Sequence, residues 1–192
     1  MRSGSRQPTG YRDSGVVAVE TAIVSMFLIT LLFGIVESTF LLKDWITVSA
    51  AARAGARMGA SQPRLTNFAQ ASADQVTNAI AGLNPANLQE VWVYKATYAT
   101  GMPDSGSFAS CSVCVKYTWN GVLKKLQESS NNWPPASQNA CAGDPNRGAL
   151  GVYVKYRHTS PLGAFFNNAT VSESTVMWIE PLSISTICKP LL

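Results

Sequence analysis

Between Val16 and Leu42 the chain reads VVAVETAIVSMFLITLLFGIVESTFLL, and Glu20 and Glu37 are its only charges. Ala22 to Val36 carries none. As a helix this run is long enough to cross a hydrocarbon core of about 30 Å. It is apolar on every side, whereas the surface helix of a soluble domain keeps a polar face. A cleavable secretory signal would have an apolar stretch of about 7–15 residues and then a small-x-small cleavage site. Here the run is longer and passes in helical pattern into Lys43-Asp44-Trp45. The segment therefore predicts a single-pass membrane protein, with everything else arranged on either side of it.

The flanks set the expected orientation. Arg2, Arg6 and Arg12 precede the run, and short positively charged N-terminal segments stay in the cytoplasm. Residues from about 43 onward are then outside. Trp45 falls either at the outer interface, which suits an amphipathic ring, or in core packing. Composition agrees with a membrane protein: charged residues are only 14% of the 192, against roughly 25% in soluble domains. The net charge of +4 is spread along the chain and forms no basic run. A nucleic-acid face needs a cluster of phosphate contacts, so none is expected.

The two glutamates differ. Glu37 lies near the outer end, where reaching the interface would solvate it. Glu20 needs another account, since a carboxylate in the membrane costs roughly 2.5–3.5 kcal/mol even on lenient scales. It is the fifth residue after Gly15, which closes the basic leader MRSGSRQPTGYRDSG. Leader, Gly, four small or apolar residues, Glu and a long apolar helix together resemble a type IV prepilin processing site. That resemblance implies cleavage between Gly15 and Val16 by a prepilin peptidase. The new Val16 amine could then pair with Glu20 of a neighbouring subunit. Such a pair adds little net stability, but losing one partner is punished, so it fixes register.

The stretch from Gly15 to Ala60 further resembles the TadE-like family of pseudopilins, of the tight-adherence (Tad, or Flp) pilus apparatus. The matching pieces are Val19-Glu20-Thr21, Phe33-Gly34-Ile35-Val36-Glu37, and Ala51-Ala52-Arg53-Ala54-Gly55-Ala56-Arg57. The family often has an aromatic after the first Glu, where this chain has Thr21. A looser echo runs from Ser172-Glu173 through Val176-Met177 to Glu180-Pro181. The resemblance implies a structural minor pilin, not an enzyme, without cofactor or metal. Its implied partners are the prepilin peptidase, other pilins or pseudopilins, the inner-membrane assembly platform and the bilayer. An uncleaved single-pass protein with an extracytoplasmic interaction domain is the alternative.

The expected organisation is a leader (1–15), a transmembrane helix (16–42), its outer extension (43–60) and an extracytoplasmic α+β domain (61–192). Ala51, Gly55 and Gly59 recur every four residues, as do Ala52, Ala56 and Ala60, so another element can approach closely. A second helix is expected from Leu65 to Ala81, with Thr66 as N-cap and Gly82 and Pro85 as stop signals. Beyond Leu88 the apolar pattern alternates. It predicts four half-buried antiparallel strands around Val91–Val93, Val113–Trp119, Leu150–Tyr156 and Thr175–Glu180. A short helix is expected over Val122–Gln127, within the long turn-rich connection that follows the second strand. The predicted fold is α+β and pilin-like.

Cys111, Cys114, Cys141 and Cys188 all follow the membrane segment. An even count in an oxidising compartment predicts two disulfides. Strand alternation separates residues three apart, which favours Cys114–Cys141 with Cys111–Cys188. Cys111–Cys114 with Cys141–Cys188 becomes feasible if Cys111 lies in the preceding turn. The Cys111-Ser-Val-Cys114 spacing also admits a thiol oxidoreductase, but a redox C-x-x-C wants its first thiol at a helix N-terminus. No second close pair of ligands completes a zinc site. The single His158 is expected at a solvated strand end. Asn168-Ala169-Thr170 fits a glycosylation sequon that a bacterial setting would leave unused.

Overall fold

A computed structural model describes residues 13–97, 99–163, 165–182 and 188. The leader before Asp13 lies outside them. One unbroken helix, α1 (Asp13–Ala60), holds 48 residues. At 1.5 Å per residue it is about 72 Å long, more than a small domain needs. No proline interrupts it, and its straight-chain and small residues are good helix formers. Its two halves have different surroundings. From Gly15 to Val36 no residue of the helix is buried. Glu37 is its first buried residue, and Val48, Ala51, Ala52, Ala56 and Ala60 follow.

The second helix, α2 (Phe68–Ala79), is shorter than the 65–81 expected. Thr66 does not cap it: Asn67 holds that position and makes no side-chain cap bond. Packing of α2 supplies what the cap does not. Phe68, Ala69, Ser72, Ala73 and Val76 are buried, and Phe68 meets Trp133 edge-on at 5.2 Å.

Among the described residues the sheet has five antiparallel strands, one more than the pattern indicated. They are β1 (Leu88–Ala96), β2 (Cys114–Asn120), β3 (Lys125–Asn131), β4 (Ala149–Arg157) and β5 (Thr170–Trp178). Their spatial order is β3-β2-β1-β4-β5. The extra strand is β3, and it corrects the helix expected over Val122–Gln127. Asn120 turns the chain there, its side-chain oxygen accepting from the Val122 and Leu123 amides. Lys124 follows at φ 50°. A two-strand hairpin results, with Gln127 opposite Thr118 and Leu126 opposite Trp119. Only Leu126 of β3 is buried, so the segment had no alternation to reveal it.

The sheet's faces divide as the alternation predicted. Val91, Val93, Val115, Tyr117, Val152, Val154 and Tyr156 face the helices and form one core with them. Trp92, Tyr94, Cys114 and Ala149 face the other way. There the β1–β2 connection folds over them: Phe108 stacks on Tyr153 at 4.4 Å and meets Tyr94 edge-on at 5.6 Å. Tyr94 crosses Gly151, where any Cβ would meet the ring at 2.2 Å. Its hydroxyl donates to the Gly101 carbonyl at 2.7 Å. Burial pushes the Tyr94 phenol up to about 12, and burial first, then Glu128 and Asp74, raises that of Tyr117.

The disulfides pair Cys111 with Cys114 and Cys141 with Cys188. This corrects the favoured pairing. Strand β2 starts only at Cys114, so Cys111 lies before the pleat begins and alternation does not separate the two. The connection holding Cys141 does not cross the outer face, because the β1–β2 loop already covers it. Ala140 donates instead to the Cys188 carbonyl and accepts from the Leu182 amide.

Candidate functional site at the junction of helix and domain

The small stripe of α1 is where the helix joins the domain. At Gly55 a Cβ would lie 2.6 Å from Val76 Cγ2 and 3.1 Å from the Ser72 carbonyl. At Gly59 it would meet Leu150 at 3.0 Å. Ala51 is fully buried. Ser72 Oγ donates to the Gly55 carbonyl at 2.8 Å, a contact possible only at this short separation.

Lower on the helix the junction is polar. Glu37 does not reach solvent, contrary to the expectation that interfacial solvation would explain it. It is fully buried. Its carboxylate accepts from Ser160 Oγ at 2.6 Å, from the Phe165 amide at 2.6 Å and from the Phe166 amide at 3.3 Å. Ser160 Oγ in turn accepts from the Leu162 and Gly163 amides at 3.2 and 3.0 Å. Gly163 has φ +67°, a backbone region that favours glycine. The β4–β5 connection is therefore wrapped around one carboxylate of α1. Hydrogen bonds to a charged acceptor are worth roughly 1.5–3 kcal/mol, about twice a neutral one.

Two turns on, His158 overturns the solvated position expected for it. It is buried at the end of β4, with Nδ1 2.7 Å from the Asp44 carboxylate. Its Nε2 has no partner among the described residues. Trp45 remains half exposed and donates its indole N–H to Glu173 of β5. Beside it, Ser38, Leu41, Leu42 and Trp45 line an open groove of about 480 Å³ against Thr170 and Val171. Glu37, Asp44 and Trp45 thus bind three points of the β4–β5 region. The sequence offered a signal for Glu37, as a second carboxylate in an apolar helix, and for Trp45, as an amphipathic ring, but none for Asp44. The partner hydroxyl of Glu37 is 123 residues away.

The residues expected at the processing site share one exposed face at the start of α1. Gly15, Val16, Val19, Glu20 and Ile23 border one shallow apolar surface there. Glu20 has no hydrogen-bond or ion-pair partner among the described residues. The structure does not bring this face near the junction. Cys111 and Cys114 lie elsewhere again, at the opposite end of the sheet, where they open a strand and not a helix.

Residues 15–57 match the family model described as TadE-like protein, so the resemblance of the helical segment is a family match. The match ends within α1 and leaves the sheet domain uncovered. No curated protein and no solved structure matches the chain. Among the described residues, one helix is long and apolar enough to cross a membrane. That suits the chain to single-pass membrane anchoring.

Proposed function

We propose that this protein is a pilin-like structural subunit of a Tad-type pilus, acting in assembly or initiation and trimmed between Gly15 and Val16. The observation that carries the reading is the unburied half of α1. Residues 15–36 include no buried residue, yet they lie within the segment that matches TadE-like proteins. Twenty-two helical residues span about 33 Å, close to the thickness of a hydrocarbon core. The bilayer segment is therefore 16–36, with residues 37–60 belonging to the extracytoplasmic domain.

An apolar helix with one unpartnered carboxylate suits two environments in turn. In the bilayer Glu20 lies near the inner boundary. In a bundle of neighbouring helices it meets the amine freed on Val16 of another subunit. The prepilin peptidase, partner pilins and the inner-membrane platform are the partners this reading requires. The protein is structural in it, and the domain is an interaction module.

Mass spectrometry of the mature N-terminus, from cells that carry the pilus system, tests the reading. A chain beginning at Val16 is expected. A mature chain beginning at Met1 would sink the processing step and leave an uncleaved single-pass protein with an extracytoplasmic interaction domain.

A further inference from the structure

The antiparallel order places the β2–β3 and β4–β5 connections at one end of the sheet. Thr118, Glu90, Lys155 and Ser172 form one row across the strands. Asn120 and Thr170 each lie two residues beyond that row, toward the same end. It is also the end at which α1 enters, because Glu37 binds the Phe165 and Phe166 amides there. Glu37 directly follows Val36, where the unburied apolar half of the helix stops.

The distribution of exposed apolar side chains is uneven. Among the described residues outside α1, the large exposed ones are Leu65, Met102, Val122, Leu123, Leu162, Phe165, Phe166 and Trp178. Five of these eight lie on the two connections at this end. Val122 is 91% exposed and Phe165 53%. Scattered single apolar residues need no explanation, but a cluster at one end marks a contact surface.

We infer that residues 121–124, 160–163 and 165–167 form a membrane-resting foot, whose apolar tips enter the interfacial layer of the outer leaflet. The inference rests on α1 spanning the bilayer. Lipid is the occupant because the β4–β5 connection is bound to α1 at Glu37, where the unburied apolar half of that helix ends, and the β2–β3 tip lies at the same end of the sheet. The β4–β5 connection carries no charge from Thr159 to Ser172. The hairpin tip carries Lys124 and Lys125 beside Val122 and Leu123. Cations flanking an apolar tip are the arrangement of interfacial segments that bind anionic phospholipid. Glu37 has a positioning role: its carboxylate takes up the amides of Phe165 and Phe166 and fixes the backbone that presents the two rings. The foot would hold the domain at a fixed height and tilt against the bilayer before assembly.

Spin labels on the full-length chain in vesicles of mixed zwitterionic and anionic phospholipid test the foot. All four native cysteines are in disulfides, so an introduced cysteine is the single free thiol. The variants are Val122→Cys and Phe165→Cys, with Phe27→Cys for the span and Ser107→Cys for the far end of the sheet. Collisions with oxygen, which enters the bilayer, are compared with those of a water-soluble nickel chelate. Labels at 122 and 165 should favour oxygen severalfold over the label at 107. If both match the label at 107 while the label at 27 reads lipid, the foot is wrong and the span stands. A label at 27 that reads water removes the span, and the foot with it. Labels at 122 and 165 shielded from both reagents and broadened by one another would assign the surface to a second copy, which also overturns the foot.

Discussion

His158 Nδ1 stands 2.7 Å from the Asp44 carboxylate, a contact that joins the end of β4 to α1 across 114 residues of sequence. The ring is buried and its other nitrogen has no partner among the described residues, so Asp44 is the group that satisfies it. Leaving a buried polar group unpaired costs about 1–3 kcal/mol. Asp44→Ala should lower the stability of the domain by about that amount. Asp44→Asn, which keeps an acceptor, should cost less. Denaturant midpoints of the full-length protein in detergent, followed by tryptophan fluorescence, measure this. Equal midpoints for all three proteins would show that the contact contributes no stability.

Glu37 gives a local prediction. Glu37→Ala removes the acceptor shared by Ser160 Oγ and the Phe165 and Phe166 amides. Losing about 1.5–3 kcal/mol of local stability corresponds to amide exchange roughly 10- to 100-fold faster. Hydrogen exchange should therefore quicken across 160–167 and stay unchanged in β1. Unchanged exchange in the loop would mean that packing alone holds it.

The Tyr94–Gly151 crossing makes a packing prediction and a pH prediction. Gly151→Ala puts a methyl group into the Tyr94 ring and should cost about 1–3 kcal/mol, as overpacked sites do. The folded Tyr94 phenol titrates at about 12, above the ordinary value near 10. Its proton is held more tightly in the folded state. The stabilising difference is complete below the unfolded value and is lost as the pH rises from about 10 to 12. Stability should fall over that window, and the decline should be shallower in Tyr94→Phe. Parallel curves for the two proteins would rule the phenol out.

Peptide mapping without reduction should recover Cys111 linked to Cys114 and Cys141 linked to Cys188. The folded protein should present no free thiol to an alkylating reagent and gain four labels after reduction. The two bridges differ in weight. Loop-closure entropy assigns about 4 kcal/mol to the 47-residue separation of Cys141–Cys188 and under about 2 kcal/mol to the three-residue one. Cys141→Ala with Cys188→Ala should therefore lower Tm more than Cys111→Ala with Cys114→Ala. The reverse order would refute the assignment of weight.

What the sequence revealed follows from which interactions are local. The unbroken helix, the two-faced strands around Val91, Val115 and Val152, and the small stripe through Gly55 are periodic, so each was visible in a short window. Strand β3 was not, because its Lys, Gln, Glu and Ser residues face solvent on both sides and only Leu126 is buried. The disulfide pairing depended on where β2 begins, and a strand's end residue carries no periodic signal. The junction residues were hidden for another reason. Glu37, Asp44 and Trp45 take partners more than 100 positions away, and nothing near them in the chain specifies Ser160, His158 or Glu173.

Glu20 supplies the test of register in assembly. It is exposed on α1 and has no partner among the described residues. If it neutralises the Val16 amine of a neighbour, Glu20→Gln removes the charge and keeps size and helix propensity. Membrane insertion should survive, since the helix becomes less polar. Cleavage should also survive where Gly15 is the main determinant of the cut. Incorporation with partner pilins should fail, because an unpaired ammonium in an apolar bundle costs about 3–5 kcal/mol. That is a loss of more than about 100-fold in association. Co-purification of partners with wild type and variant, at equal abundance and with both N-termini verified, measures it. If Glu20→Gln captures partners as well as the wild type does, the carboxylate is an interfacial residue only, and register is set by helix packing.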